Sequence, residues 1–196
     1  MPALIRNTPA RYGWAAILFH WIVAVLFIGQ FVLGLVMTRT ASQRTAFELI
    51  QLHKSFGFLL LGLALLRIGW RLGNPAPALP RSVPPFERRS APLAHFVLYA
   101  LQFALPLTGW TLVSVSMLEV PSVPFGLFVV PNLPLAVSDA AERFWSVAHA
   151  WLAYGAMALV GLHVAAALRH HFWLRDGVLA RILAPRSRRC DEGGAE

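Results

Sequence analysis

The chain has 196 residues, of which 57% are hydrophobic and only 13% charged, and it carries a net charge of +8. A soluble domain of this size holds about 25% charged residues, so the composition excludes an ordinary water-soluble globule and points to one compact bilayer protein. The basic balance is not a nucleic-acid footprint, because the arginines gather at the ends of apolar stretches.

Four apolar segments follow one another: about Tyr12 to Met37, Phe47 to Trp70, Ala91 to Ser116 and Ala141 to His171. Each exceeds the roughly 20 residues a helix needs to cross the hydrocarbon core. The predicted fold is an all-α, integral membrane four-helix bundle. No small-residue cleavage site follows the first segment, which is therefore read as a permanent helix. Arg44, Glu48 and Lys54 near the start of the second segment are placed to snorkel toward headgroups.

The connections differ. The second, from Asn74 through Pro84 and Pro85, is proline-rich and predicts an extended strap. The third, Met117 to Ala140, is apolar but broken by prolines, so it is expected to lie at the membrane interface or to dip in and cover the bundle mouth. Thirteen of the 17 basic residues lie near the termini and the second connection; the other four are Arg39, Arg44, Lys54 and Arg143. The positive-inside rule then predicts both termini in the cytoplasm. The bundle is assigned to residues 1–185 and a polar cytoplasmic tail to 186–196. A lone cysteine, Cys190, falls in that tail; it excludes an internal disulfide and the paired-cysteine attachment of c-type haem.

Small residues let membrane helices approach closely. Gly29, Gly34, Gly57, Gly62, Gly155 and Gly161 mark the segments, either for such packing or as room for a flat macrocycle. Seven tryptophans lie mostly toward segment ends, in the manner of an aromatic belt, and no electron-relay role is assigned to them. No phosphate loop, dinucleotide fingerprint or serine nucleophile motif is present.

The histidines carry the functional signal. His20, His53, His149 and His163 lie inside the apolar segments. His149 and His163 share one segment fourteen residues apart, nearly four helical turns, which puts both on one face about 21 Å apart. His20 and His163 are each about eight residues from the cytoplasmic end of their segments; His53 and His149 match near the opposite end. Imidazole is a frequent axial ligand of haem iron, and a six-coordinate haem needs two imidazoles at one depth. The pairs are therefore His20 with His163 and His53 with His149. A single membrane histidine more often serves as an interhelical hydrogen bond or proton relay, so a haem-free relay or transporter is the rival for any one of them. A zinc site would need three or four ligands at one locus, whereas these divide two and two. His95, His170 and His171 are read as interfacial polar residues, with contact to a propionate or quinone as the sharper alternative.

These residues sit in stretches that resemble the bacterial cytochrome b561 family of four-helix di-haem b cytochromes, from about Arg11 to Leu183. They include Leu18-Phe19-His20-Trp21, Leu52-His53-Lys54-Ser55-Phe56-Gly57, Leu105-Pro106-Leu107-Thr108-Gly109-Trp110 and Gly161-Leu162-His163-Val164 through Arg169-His170-His171-Phe172. The resemblance implies two haem b groups with His20, His53, His149 and His163 as axial iron ligands, in a multi-pass protein of the bacterial inner membrane. It implies electron transfer between a periplasmic-side donor and the quinone pool, as in a superoxide:ubiquinone oxidoreductase. The alternative it leaves open is a cytochrome b subunit serving a separate periplasmic or membrane redox enzyme. The expected partners are lipid, quinone, and superoxide or a redox protein, with no nucleic acid. One departure from the family pattern is Ala150 after His149, where many relatives carry Glu or Lys.

Overall fold

The computed structural model describes residues 5–9, 11–80 and 83–183. It contains four long helices: α1 (Trp14–Arg39), α2 (Gln43–Gly73), α3 (Pro85–Val115) and α4 (Asp139–Arg169). A π-helical turn, His170–Leu174, extends α4, and a short α5 (Ala180–Leu183) follows. All four long helices are apolar and long enough to cross a membrane. The tail at 186–196, with Cys190, and Arg81 of the second connection lie outside the described residues.

The helices begin where a side chain or proline can start them. Ser42 accepts from the backbone N–H of Thr45, and Ser138 from that of Ala141, the usual way to satisfy an orphan donor in a first turn. These caps set α2 four residues and α4 two residues ahead of the hydropathy boundaries. The largest shift is in α3. Pro85 stands in its first turn, where the missing N–H costs nothing, so the helix includes Glu87 to Ser90, which hydropathy leaves out.

The packing is inside out relative to a soluble bundle. Leu18, Val25, Val32, Leu65, Leu66 and Leu162 are exposed, whereas Ser55, Gln102 and Ser114 are buried. Lipid is the solvent such a surface suits, and backbone groups must then be satisfied within helices. Adjacent helices pack in order, α1 on α2, α2 on α3 and α3 on α4, with α1 touching α4 least. Ala64 and Ala156 are fully buried, which permits close helix approach.

Each end of the bundle is tied down differently. At the end that carries the termini, Asn7 donates to the carbonyls of Asn74 and Pro75, and Arg181 donates to that of Ala78. The strap of connection two is thus held by both flanks of the chain. At the opposite, loop end, connection three folds over α2 and α3. Ser55 Oγ accepts from Phe125 N, Ser114 Oγ accepts from Leu133 N, and Trp110 Nε1 donates to Pro131 O. The expected cover over the bundle mouth is this segment, built round a 3₁₀ turn (Pro124–Gly126). Lys54 does not snorkel to headgroups: its ammonium donates to the carbonyls of Val120 and Pro121.

Candidate functional site

The helix boundaries moved, but the depth match survives them. His20 stands six residues past Trp14 and His163 six before Arg169; His53 and His149 each stand ten past the first residues of their helices. The rings meet accordingly. The centroids of His20 and His163 are 6.4 Å apart, and those of His53 and His149 are 6.2 Å apart. A metal–imidazole bond of about 2 Å, plus about 1.1 Å from nitrogen to ring centre, taken on both sides, gives a centroid separation of about 6.2 Å. Each pair is therefore spaced to hold one metal centre between two imidazoles. Among the described residues no group of three or more His, Cys, Asp or Glu side chains could hold a bare metal ion, which sets these pairs apart from a zinc site.

The loop-side pair, His53 and His149, lines a largely apolar cavity of about 170 Å³ with Phe31, Leu60, Leu105 and Ser122. Three features orient its rings. Thr108 Oγ1 lies 2.9 Å from His149 Nδ1 and also 2.9 Å from the carbonyl oxygen of Leu105. A hydroxyl has one hydrogen; given to Leu105, it leaves an oxygen lone pair that accepts Nδ1–H, so Nε2 of His149 is bare. Gly109 lets that ring lie close, because a Cβ there would be 3.3 Å from His149 Cε1. At Gly34 a Cβ would meet His53 Cε1 at 3.5 Å, an ordinary contact, so that position does not require glycine. Gln30 donates to the backbone carbonyl of His53 at 2.8 Å, while its own Oε1 and His53 Nδ1 are buried without hydrogen-bond partners. Such buried, unmatched polar atoms are costly and suit a site completed by a further group.

The terminal-side pair, His20 and His163, has a different neighbourhood. His95 joins it, its ring 5.4 Å from that of His163. Arg67 Nη2 lies 3.5 Å from His20 Nδ1, and Arg67 Nη1 lies 3.4 Å from Gln102 Oε1. Its guanidinium stacks 4.8 Å from the centre of the Tyr99 ring, a favourable cation–π distance. Below this group, His170 is buried between two carboxylates, with Nδ1 2.5 Å from Asp176 and Nε2 2.9 Å from Glu87, and Arg169 also pairs with Glu87.

The structure thus brings all four anticipated histidines into their two anticipated pairs. It adds His95 to one pair, and it makes His170 a clamp where the sequence suggested an interfacial anchor; His171 stays exposed against Phe172. Gln30, Arg67, Gln102, Thr108 and Gly109 were not singled out as site residues by the sequence. Of these, Arg67 carried a usable signal, since a charged residue inside a membrane span marks function by default. A Cβ added at Gly29, Gly62, Gly155 or Gly161 would meet nothing within 4 Å, and one at Gly34 or Gly57 would reach His53 or Gln30 at 3.5 Å, an ordinary contact.

Residues 11–185 match the family described as prokaryotic cytochrome b561. Cytochrome b561 homolog 2 of Escherichia coli K12 is 38% identical, across 92% of this chain and 95% of that protein. A protein of Yersinia pestis named "Probable superoxide oxidase CybB" is 30% identical, across 88% of this chain and 96% of its own length. Cytochrome b561 homolog 1 of Escherichia coli K12 is 25% identical, across 90% and 98%. The chain belongs to the prokaryotic cytochrome b561 family of b-type haem, electron-transferring membrane proteins.

Proposed function

We propose that this protein is a di-haem cytochrome of the bacterial inner membrane that carries electrons between a periplasmic donor and the quinone pool, with superoxide as donor and ubiquinone as acceptor. In this reading His20 with His163, and His53 with His149, each hold one haem b. The observation that carries it is the spacing of the two ring pairs, 6.4 and 6.2 Å, each drawn from two helices. Bound haem b supplies reversible one-electron chemistry, which protein side chains lack. The rest is done by the chain. Thr108 keeps the ligating nitrogen of His149 bare, Gly109 leaves room beside the His149 ring, and the lipid-facing apolar shell excludes water. Connection three, pinned by Ser55 and Ser114, covers the loop-side pair.

The direction across the membrane rests on charge. Thirteen of 17 basic residues flank the terminal-side end, so by the positive-inside rule that end is cytoplasmic and the loop-side pair is periplasmic. The choice of superoxide is supported by the 30% likeness to the Yersinia protein. The stoichiometry balances: two superoxide anions each lose one electron and leave as dioxygen, and one ubiquinone gains those two electrons and two protons to leave as ubiquinol.

The alternative, a subunit serving another redox enzyme, is favoured by the exposed Leu127, Phe128 and Val129 on the covering connection. One preparation separates the readings. The purified chain in lipid nanodiscs should hold two haem b per polypeptide and form ubiquinol when supplied with superoxide. A colourless or single-haem protein would remove the ligand assignment. Two haems with no ubiquinol formation until a partner enzyme is added would select the subunit.

A further inference from the structure

Arg67 is the charge that most distinguishes the two histidine pairs. It lies six residues before Gly73, the last residue of α2, and so at the depth of His20, which lies six past Trp14. Its partners are neutral: Gln102, Tyr99 and the His20 ring. The ion pairs among the described residues are Arg44 with Glu48, Arg169 and His170 with Glu87, and His170 with Asp176, so no carboxylate among them cancels Arg67. Its guanidinium lies 3.5 Å from the ring of His20, which itself stands 6.4 Å from the ring of His163. Lys54, which lines the cavity of the other pair, has its ammonium turned to the loop carbonyls of Val120 and Pro121.

We infer that Arg67 is a positioning charge that makes the terminal-side pair the preferred seat of an electron, so that the bundle is electrically graded from its loop end to its terminal end. This rests on the ligand assignment proposed above. The physical reason is short. Adding an electron to a bis-imidazole iron centre lowers its net charge by one, and a fixed cation a few ångströms away in a low-dielectric interior favours the less positive state. The loop side carries the opposite bias: with the Thr108 hydrogen given to the Leu105 carbonyl, the Thr108 oxygen 2.9 Å from His149 Nδ1 is left to accept from it, which would make that imidazole a stronger electron donor and favour the oxidised metal. Both effects slope the same way, toward the end where the quinone acceptor is proposed. Each electron that leaves the loop-side centre is gained, one for one, at the terminal side.

The test is a potentiometric titration, followed by haem absorbance, of the full chain carrying Arg67→Gln or Arg67→Lys. It is repeated in the His149→Ala background, where only the terminal-side haem should remain and its midpoint is read alone. Arg67→Gln should weaken that haem's hold on its electron at least tenfold, a fall in midpoint of about 59 mV for one electron, and leave the loop-side midpoint unchanged. Arg67→Lys should restore most of the fall. An unchanged terminal-side midpoint with both haems present would overturn the inference while leaving the ligand assignment intact. A rise would overturn it too, since the guanidinium would then be stabilising a deprotonated His20 ring. Loss of the terminal-side haem in Arg67→Gln, retained by Arg67→Lys, would make Arg67 a holding residue and would also end the claim. Absence of haem from the unmutated chain would instead end the ligand assignment itself.

Discussion

The two histidine pairs have nearly the same ring spacing, 6.4 and 6.2 Å, and almost opposite surroundings. The loop-side pair lines a largely apolar cavity under a pinned connection; Thr108 and Gln30 are its hydrogen-bonding neighbours, and Lys54, also on the cavity wall, turns its ammonium to the carbonyls of Val120 and Pro121. The terminal-side pair shares its level with a third imidazole, a guanidinium and a buried amide, above a clamp of charged side chains. The same pair of imidazoles in two electrostatic settings gives one helix bundle two chemically distinct ends. Geometry is what the pairs share, and the setting is what each end adds.

Removing a ligand is the harshest way to break the comparison. His149→Ala should take the loop-side haem and leave the other, and His163→Ala should do the reverse, each halving the haem-to-protein ratio measured after conversion to the pyridine complex. If either variant still holds two haems per chain, the pairing is wrong. The residual spectra of the two variants should also differ, because each reports one setting alone.

Next comes the device that fastens each end. His170 sits between Glu87 and Asp176, and its side chain is only 11% exposed. Both ring nitrogens face carboxylates. His170→Ala would leave two acidic groups facing one another with Arg169 on one of them. Taking one partner out of a buried ionic group costs about 3 kcal/mol, so the melting temperature of the purified chain should fall by several degrees. The terminal-side haem band should broaden or weaken before the loop-side one does. The corresponding loss at the other end, Ser55→Ala, removes two neutral hydrogen bonds, the one accepted from Phe125 N and the one donated to Gln51 O, and should cost only about 1–2 kcal/mol. Equal effects from the two would mean that the ends are not fastened by different physics.

How far the sequence carried this picture follows from what each signal measures. The helices were legible because hydropathy over some twenty residues is a sum that no single residue can upset. Their first turns were less so, because Ser42, Ser138 and Pro85 begin helices by capping and proline geometry, to which hydropathy is blind. The pairs were legible because depth in a membrane helix is counted from its end: for His20 and His163 the two end errors were equal and cancelled, and for His53 and His149 they were four and two residues, too small to break the match. The second layer was not. Thr108 and Gly109 matter through contact with a ring on another helix, and their own sequence surroundings say nothing of that contact. His95 lies on α3, yet only the lateral packing of α3 on α4 brings it to His163. His170 read as an anchor because its neighbours in sequence are basic. Its acidic partners come from the start of α3 and from the turn after α4, where Arg175 takes a left-handed conformation with φ 49°.

A milder probe of the loop side is Thr108→Val, which keeps the shape and deletes the oxygen that accepts from His149 Nδ1. A partner that orients a metal-bound histidine typically contributes 10–100-fold to affinity. Haem at the loop-side pair should therefore dissociate to an apoprotein acceptor about that much more readily, with the terminal-side haem unmoved. The same substitution should raise the loop-side midpoint, because the ring loses the acceptor that strengthened its donation. A faster loss from both sites would point instead to a general loosening of α3.

The finest test separates two glycines that touch equivalent atoms. A methyl group at Gly109 would meet His149 Cε1 at 3.3 Å, closer than ordinary van der Waals contact, whereas one at Gly34 would meet His53 Cε1 at 3.5 Å, which is ordinary. Both glycines lie within helices, where alanine gains up to about 1 kcal/mol of helix propensity. Gly34→Ala should therefore raise thermal stability slightly and leave the loop-side spectrum as it was. Gly109→Ala should gain no stability and should shift the loop-side absorbance by a few nanometres at most, since His149 must move by a few tenths of an ångström against Thr108. If the spectral effect falls on Gly34 instead, His53 is the tightly seated ring of the pair and Thr108 is not what fixes the site.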